Sequence, residues 1–195
     1  MTSDETFRIL TICTGNVCRS PAAELILGDA VRRVGADDVD ITSAGTRPLE
    51  GQGVDPEMAR LLVADGIDVE GFVARRLTAG MVRDADLVLG LTREHRSAAV
   101  QLRPAALRQA FTLLELARLV ARVEPGEVEA VAGPEVSFAD RLRALAQLAP
   151  RHRSVVAAEL EDIEDPYRRG PEAFARVHAR IAEAVEIIVD AAARR

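Results

Sequence analysis

The chain has 195 residues, 48% of them hydrophobic and 29% charged, with a formal net charge of −6. This is the composition of a globular chain long enough to bury a full core, and not that of a disordered one. The acidic balance, a single Tyr and no Trp argue against the basic face or stacking platform of a nucleic-acid binder, and no run of about 18 apolar residues offers a membrane span.

In chain order, Phe7–Cys13 is a short apolar run with β-branched residues, the size of a buried strand. Ser20-Pro21-Ala22-Ala23-Glu24 offers a capping hydroxyl, a first-turn Pro and an early Glu, and the spacing after it predicts a helix to about Val34. Residues 39–44 read as a second strand. Asp55-Pro56 opens a helix that stops at Gly66. Residues 85–91 form a third strand, and Thr92 caps a helix beginning at Arg93. Residues 110–113 read as a fourth strand, helical patterns fill 114–123 and 138–148, and a long helix covers about 171–193. The stretch 125–134, rich in Gly, Pro and Glu, is predicted to be a flexible loop.

Such alternation implies an α/β fold: three layers, α/β/α, around a central parallel sheet of four strands. Ligands of these folds bind beyond the carboxyl ends of the strands, where Cys13 falls. Two cysteines make no disulfide framework. The acidic opening MTSDETFRIL lacks the basic start of a secretory signal, so a cytoplasmic location is expected.

The informative stretch is Cys13-Thr14-Gly15-Asn16-Val17-Cys18-Arg19. All 25 basic residues of the chain are arginine, so a bare Cys-x5-Arg is weak by itself and a buried structural cysteine is the bland alternative. Context makes it specific. The loop lies between a strand and a helix start, where successive N–H groups converge on one spot. Gly15 and Asn16 tolerate left-handed backbone angles, and Arg19 adds a planar fork for two oxygens of a tetrahedral anion. The same positive field favours the thiolate of Cys13, which makes its sulfur a nucleophile.

CTGNVCRSP resembles the active-site loop of the low-molecular-weight protein tyrosine phosphatases, at the position where that family carries it. Ser43-Ala44-Gly45-Thr46, Ala74-Arg75-Arg76-Leu77, the third strand and Asp165-Pro166-Tyr167 continue the resemblance. It implies the phosphatase loop between first strand and first helix, and hydrolysis of phosphomonoesters, protein phosphotyrosine foremost, through a phosphocysteine. Cys13 would be the nucleophile, Arg19 would hold the phosphoryl group, and Asp165 would be general acid and then base. The backbone of Thr14, Gly15, Asn16, Val17, Cys18, Arg19 and Ser20 would bind phosphate. Asn16, Ser20 and Ser43 would support the loop, Ser20 also hydrogen-bonding the sulfur and helping the thiolate leave, and Tyr167 would line the substrate cleft. No cofactor and no metal are implied, and the partner is a phosphorylated protein or small phosphomonoester, with no nucleic acid and no membrane.

Two readings of Cys18 stay open: a small apolar loop residue, or, as the resemblance implies, the partner of Cys13 in a reversible disulfide. His95, His152 and His178 show no ligand spacing and read as surface or helix-terminal residues. The chain departs from the resemblance at Phe72, where the family often has His, at 46–50, where it often has an aromatic, and at Arg168 and Arg169, where a second aromatic is common. The cleft walls are therefore altered, and the two arginines would suit an acidic or other anionic substrate. Residues 114–160 lengthen the single expected domain by two helices. Two alternatives to the phosphatase remain: an arsenate reductase coupled to a small-molecule thiol, and a loop that binds a phosphorylated partner without turnover.

Overall fold

The computed structural model describes residues 6–134, 136–153 and 161–194. Four parallel strands, β1 (Phe7–Cys13), β2 (Val39–Gly45), β3 (Leu87–Gly90) and β4 (Ala110–Thr112), form one sheet in the order β2-β1-β3-β4. Eight helices accompany it among the described residues: α1 (Arg19–Arg33), α2 (Pro56–Ala64), α3 (Ala79–Asp84), α4 (Arg93–Leu102), α5 (Leu113–Val120), α6 (Pro125–Ala132), α7 (Phe138–Leu148) and α8 (Pro171–Ala193).

Side chains of a strand alternate between its faces, and here the alternation makes two cores. Phe7 and Ile9 of β1, Leu87 and Leu89 of β3 and Phe111 of β4 pack with α1, α5 and α8. Leu10, Ile12, Val88 and Ala110 face the other way, against Val82 of α3 and Ala99 of α4. The expected three layers and four parallel strands are therefore both present. None of the described helices is long and apolar enough to cross a membrane.

The chain leaves β1 to build β2 on one side and returns to build β3 on the other. Cys13 thus ends a strand at the switch point of an open sheet, where the loops above neighbouring strands diverge and leave a crevice. Its register partner is Gly45 on β2, while Ile12 is opposite Gly90 on β3.

The stretch expected to be a flexible loop, 125–134, forms α6 instead. Pro125 occupies its first turn, and Glu124 and Glu127 form a reciprocal capping box. Pro at the first helical position loses no needed hydrogen bond, and the residues from Glu127 to Ala132 are compatible with a helix. The segment after β4 accordingly holds three helices, α5 to α7, and not two. Its last residues, 154–160, lie outside the described ones.

Candidate active site

The loop after β1 is shaped by what its carbonyls do. Those of Cys13, Thr14 and Gly15 accept hydrogen bonds from the amides of Thr46, Arg47 and Leu49 at 2.9–3.0 Å, and that of Val17 accepts from Asp55 N at 2.8 Å. With the carbonyls drawn outward to the strap 46–55, the peptide N–H groups of the loop are turned the other way. Sequence reasoning read 46–50 only as a wall of the cleft and missed that the strap holds the loop, because backbone pairing of two loops leaves no mark in side-chain identity.

Asn16 is the hinge of the loop. It adopts φ of 54°, and its amide donates to Cys13 Sγ at 3.2 Å. Its side-chain nitrogen donates to Ser20 Oγ at 2.9 Å and to Ser43 Oγ at 2.8 Å, and its Oδ1 accepts from Arg75 N at 2.8 Å. Gly15, expected to share the left-handed conformation, does not adopt it; a Cβ there would meet only Val17 at 3.6 Å.

Ser20 does not cap the helix as its position suggested, but it does reach the sulfur as the resemblance implied. α1 begins at Arg19 with no side-chain cap, and the Ser20 hydroxyl donates to Cys13 Sγ at 3.0 Å. A hydroxyl in the first turn is diverted from the helix to the sulfur. Cys13 therefore receives two hydrogen bonds, one from a backbone amide and one from a hydroxyl. Cys18 is different. Burial pushes its thiol pKa up, with Asp55 adding in the same sense, so it stays protonated. Both cysteines are free thiols.

Arg19 is 4% exposed. Its Nη1 donates to the carbonyl of Ile163 at 3.2 Å, its Nη2 pairs with Asp165 Oδ2 at 2.7 Å, and its Nε has no partner. An oxyanion seated in the loop would satisfy that donor. Asp165 is half-exposed at the rim, its other oxygen accepting the Tyr167 amide at 3.2 Å.

The segment carrying Asp165 is docked by contacts that the sequence reading missed. Asp162 Oδ1 accepts the Arg93 amide at 2.7 Å, at the start of α4, and the Ile163 amide donates to Leu91 O at 2.9 Å. Arg118 Nη2 reaches Glu161 Oε1 at 3.1 Å. Glu164 bridges to Arg176 and Arg169 in exposed ion pairs.

A cleft of about 170 Å³ is lined by Cys13, Thr14, Gly15, Val17, Cys18, Arg19, Arg47, Leu49, Asp165 and Tyr167. Nearly every loop residue singled out from the sequence thus faces one cavity. Asn16, Ser20 and Ser43 stand behind it as a buried polar network. Arg168 stacks on the Tyr167 ring at 5.1 Å, and Arg169 turns to Glu164. Arg47 is the arginine at the cleft wall. Among the histidines, the surface reading fails for His95, which is 3% exposed and hydrogen-bonded to Thr14. The signal was the Thr-x-x-His spacing at the start of α4, read only as a helix cap.

The model of the family described as "Low molecular weight phosphotyrosine protein phosphatase" matches residues 8–129, more than half of the chain. The low molecular weight protein-tyrosine-phosphatase Wzb of Salmonella typhi is 36% identical over 97 residues, 50% of this chain and 62% of Wzb. The chain thus spans less than two thirds of that relative. The probable low molecular weight protein-tyrosine-phosphatase AmsI of Erwinia amylovora is 26% identical over 186 residues, 95% of this chain and 97% of AmsI. Its crystal structure shares the fold with a TM-score of 0.68 at 22% identity, covering 100% of this chain and 98% of that one. The YwlE arginine phosphatase from Geobacillus stearothermophilus shares it too, with a TM-score of 0.64 at 22% identity over 94% of this chain and 91% of its own. Fold, loop geometry and family match agree, and the chain belongs to the low molecular weight phosphotyrosine protein phosphatase family.

Proposed function

We propose that the protein hydrolyses phosphomonoesters, protein phosphotyrosine foremost, through a phosphocysteine intermediate. One observation carries the reading: Cys13 Sγ accepts hydrogen bonds from Asn16 N and Ser20 Oγ in the cleft that also presents Arg19 and Asp165. Cys13 attacks phosphorus, and the loop amides from Thr14 to Ser20 with Arg19 hold the phosphoryl oxygens. The phosphoryl group exchanges places with the Asp165 carboxylate on Arg19; released from the guanidinium, Asp165 takes up a proton from solvent and passes it to the leaving oxygen. The same group later takes a proton from the water that attacks the phosphocysteine, and Ser20 stabilises the departing thiolate. General acid–base help of this kind contributes about 10²–10⁴-fold. Tyr167 and Leu49 offer apolar walls to an aryl ring, and Arg47 offers a charge to an acidic neighbour of the phosphorylated residue.

The matched family and its named relatives favour this chemistry over arsenate reduction. We take residues 1–195 as one domain with the helices within 114–160 as an insertion. We place it in the cytoplasm of a bacterium, because its relatives named above are bacterial and a reduced thiol is the centre of the chemistry.

The test is steady-state hydrolysis of aryl phosphates by wild type, Cys13→Ser and Asp165→Asn, with arsenate reduction by small thiols in parallel. Phosphotyrosine and phosphoarginine peptides are then compared. Cys13→Ser is expected to abolish hydrolysis. Asp165→Asn is expected to slow esters with poor leaving groups about 10²-fold or more, and good leaving groups much less. Hydrolysis that survives Cys13→Ser, or Cys13-dependent arsenate reduction outrunning it, would overturn the reading.

A further inference from the structure

His95 takes no part in the mechanism above, yet it is built into the loop. It sits in the first turn of α4 with both ring nitrogens engaged. Nδ1 lies 2.9 Å from Thr92 Oγ1, and Nε2 lies 2.9 Å from Thr14 Oγ1. The Thr92 oxygen also accepts the His95 amide at 3.3 Å.

Burial holds the imidazole pKa down at about 4, with the charges of Arg19 and Arg47 acting in the same sense and Asp162 opposing them. At neutral pH the ring therefore has one donor and one acceptor. One threonine hydroxyl gives it a hydrogen and the other receives one, which makes Thr92, His95 and Thr14 a directional chain. It ties the capping residue of α4 to the residue that follows the nucleophile.

Thr14 is also held at its carbonyl, which accepts from Arg47 N at 2.9 Å. Two tethers on opposite sides, hydroxyl and carbonyl, leave the peptide units flanking Thr14 little freedom to turn. Asn16 performs the corresponding task farther along the loop, through Ser43 and Arg75.

We propose that His95 is a positioning residue for phosphoryl transfer: through Thr14 Oγ1 it sets the orientation of the first peptide units after Cys13. His95 touches neither the sulfur nor the substrate and acts only through Thr14. The proposal rests on the phosphatase reading for its kinetic consequence, and on the loop alone for its effect on anion binding.

Two readouts separate these: kcat and KM for an aryl phosphate, and calorimetric affinity for inorganic phosphate, which needs no turnover. The variants are Thr14→Val, Thr14→Ser, His95→Phe, His95→Gln and the double change His95→Phe with Thr14→Val. Thr14→Val and His95→Phe are each expected to lower kcat/KM and phosphate affinity by about 2- to 12-fold, the range one neutral hydrogen bond is worth. The double variant should be no worse than the poorer single one. Thr14→Ser keeps the hydroxyl. His95→Gln carries an amide to about the reach of Nε2, and it should recover most of what Phe loses. Thr14 is a partly exposed loop residue, so its variants test the chain even where His95→Phe folds poorly. Wild-type kinetics and phosphate affinity in Thr14→Val, or losses that multiply in the double variant, would overturn the proposal. Absent aryl phosphate hydrolysis with coupled losses of phosphate affinity would sink the phosphatase reading and leave His95 in its role.

Discussion

At the scale of single residues, the site depends on Asn16, whose side chain uses every polar atom. Asn16 donates its amide to sulfur, shares its Nδ2 between two hydroxyls and accepts Arg75 N, all while in a left-handed conformation. Asp could not donate to Ser20 and Ser43, and Gly would supply only the backbone angle. Asn16→Ala should cost about 2–4 kcal/mol, since it strands the Arg75 amide, takes a donor from the Ser20 and Ser43 hydroxyls and strains φ; chemical denaturation measures it, and kcat should fall with it. His95 makes a prediction about pH. Its folded pKa of about 4 lies below the ordinary 6.5, so between those values the unfolded chain binds more protons. Stability attributable to His95 is therefore present above about 6.5 and lost as pH falls toward 4, by about 3 kcal/mol at most. Glu24 acts in the opposite sense: burial raises its pKa, so it takes stability away as pH rises from 4.5. Urea midpoints from pH 4 to 7 should fall less steeply on the acid side in His95→Gln than in wild type.

At the scale of elements, the strand ends matter most. A Cβ on Gly45 would lie 2.6 Å from Thr14 O, and one on Gly90 would lie 2.5 Å from Arg96 N and 2.8 Å from Thr92 O. All three are backbone atoms, which cannot swing aside. Gly90→Ala should therefore lose about 1–3 kcal/mol or more as β3 is pushed from the start of α4. Gly45→Ala should combine a similar loss with reduced kcat/KM, because the atom it displaces belongs to the phosphate loop. Thermal melts beside kinetics distinguish the two. Helix starts tell a related story. Asp55, Thr78, Thr92, Thr112 and Ser137 each accept a first-turn amide, whereas α1 has no side-chain cap and its Ser20 serves Cys13. α8, which starts after Gly170, has no side-chain cap either, and of these two starts it is α1 that faces the proposed anion.

At the scale of the whole molecule, the layer of α1, α5, α7 and α8 carries the weight of the larger core. Arg141 of α7 is 7% exposed and closes that layer at the far end from the cleft. Its Nε donates to Ala192 O at 2.6 Å, and its Nη2 donates to Arg194 O. Arg141→Met should lower unfolding free energy by about 2–3 kcal/mol, the worth of hydrogen bonds from a charged donor, and leave kcat unchanged. A fall in kcat would mean that the C-terminal end of α8 communicates with the segment bearing Asp165. That segment is held from several parts of the chain: α5 through Arg118, the start of α4 through Arg93, α8 through Arg176 and Arg180, and Arg19 of the loop.

Ser43 and Asp165 were joined to one site through the family resemblance, whereas the sequence by itself determined the strand–helix alternation and the phosphate loop with Cys13 and Arg19. Those features rest on local periodicity and on chemistry that few residue types supply, so they are written in the order of the residues. Only the tertiary structure decided which backbone amides hold the loop open, that α6 is a helix, and that His95 is buried against Thr14. Each of these depends on a partner tens of residues away, or on whether Pro starts a helix or stops one, and such choices are made by packing and not by local propensity.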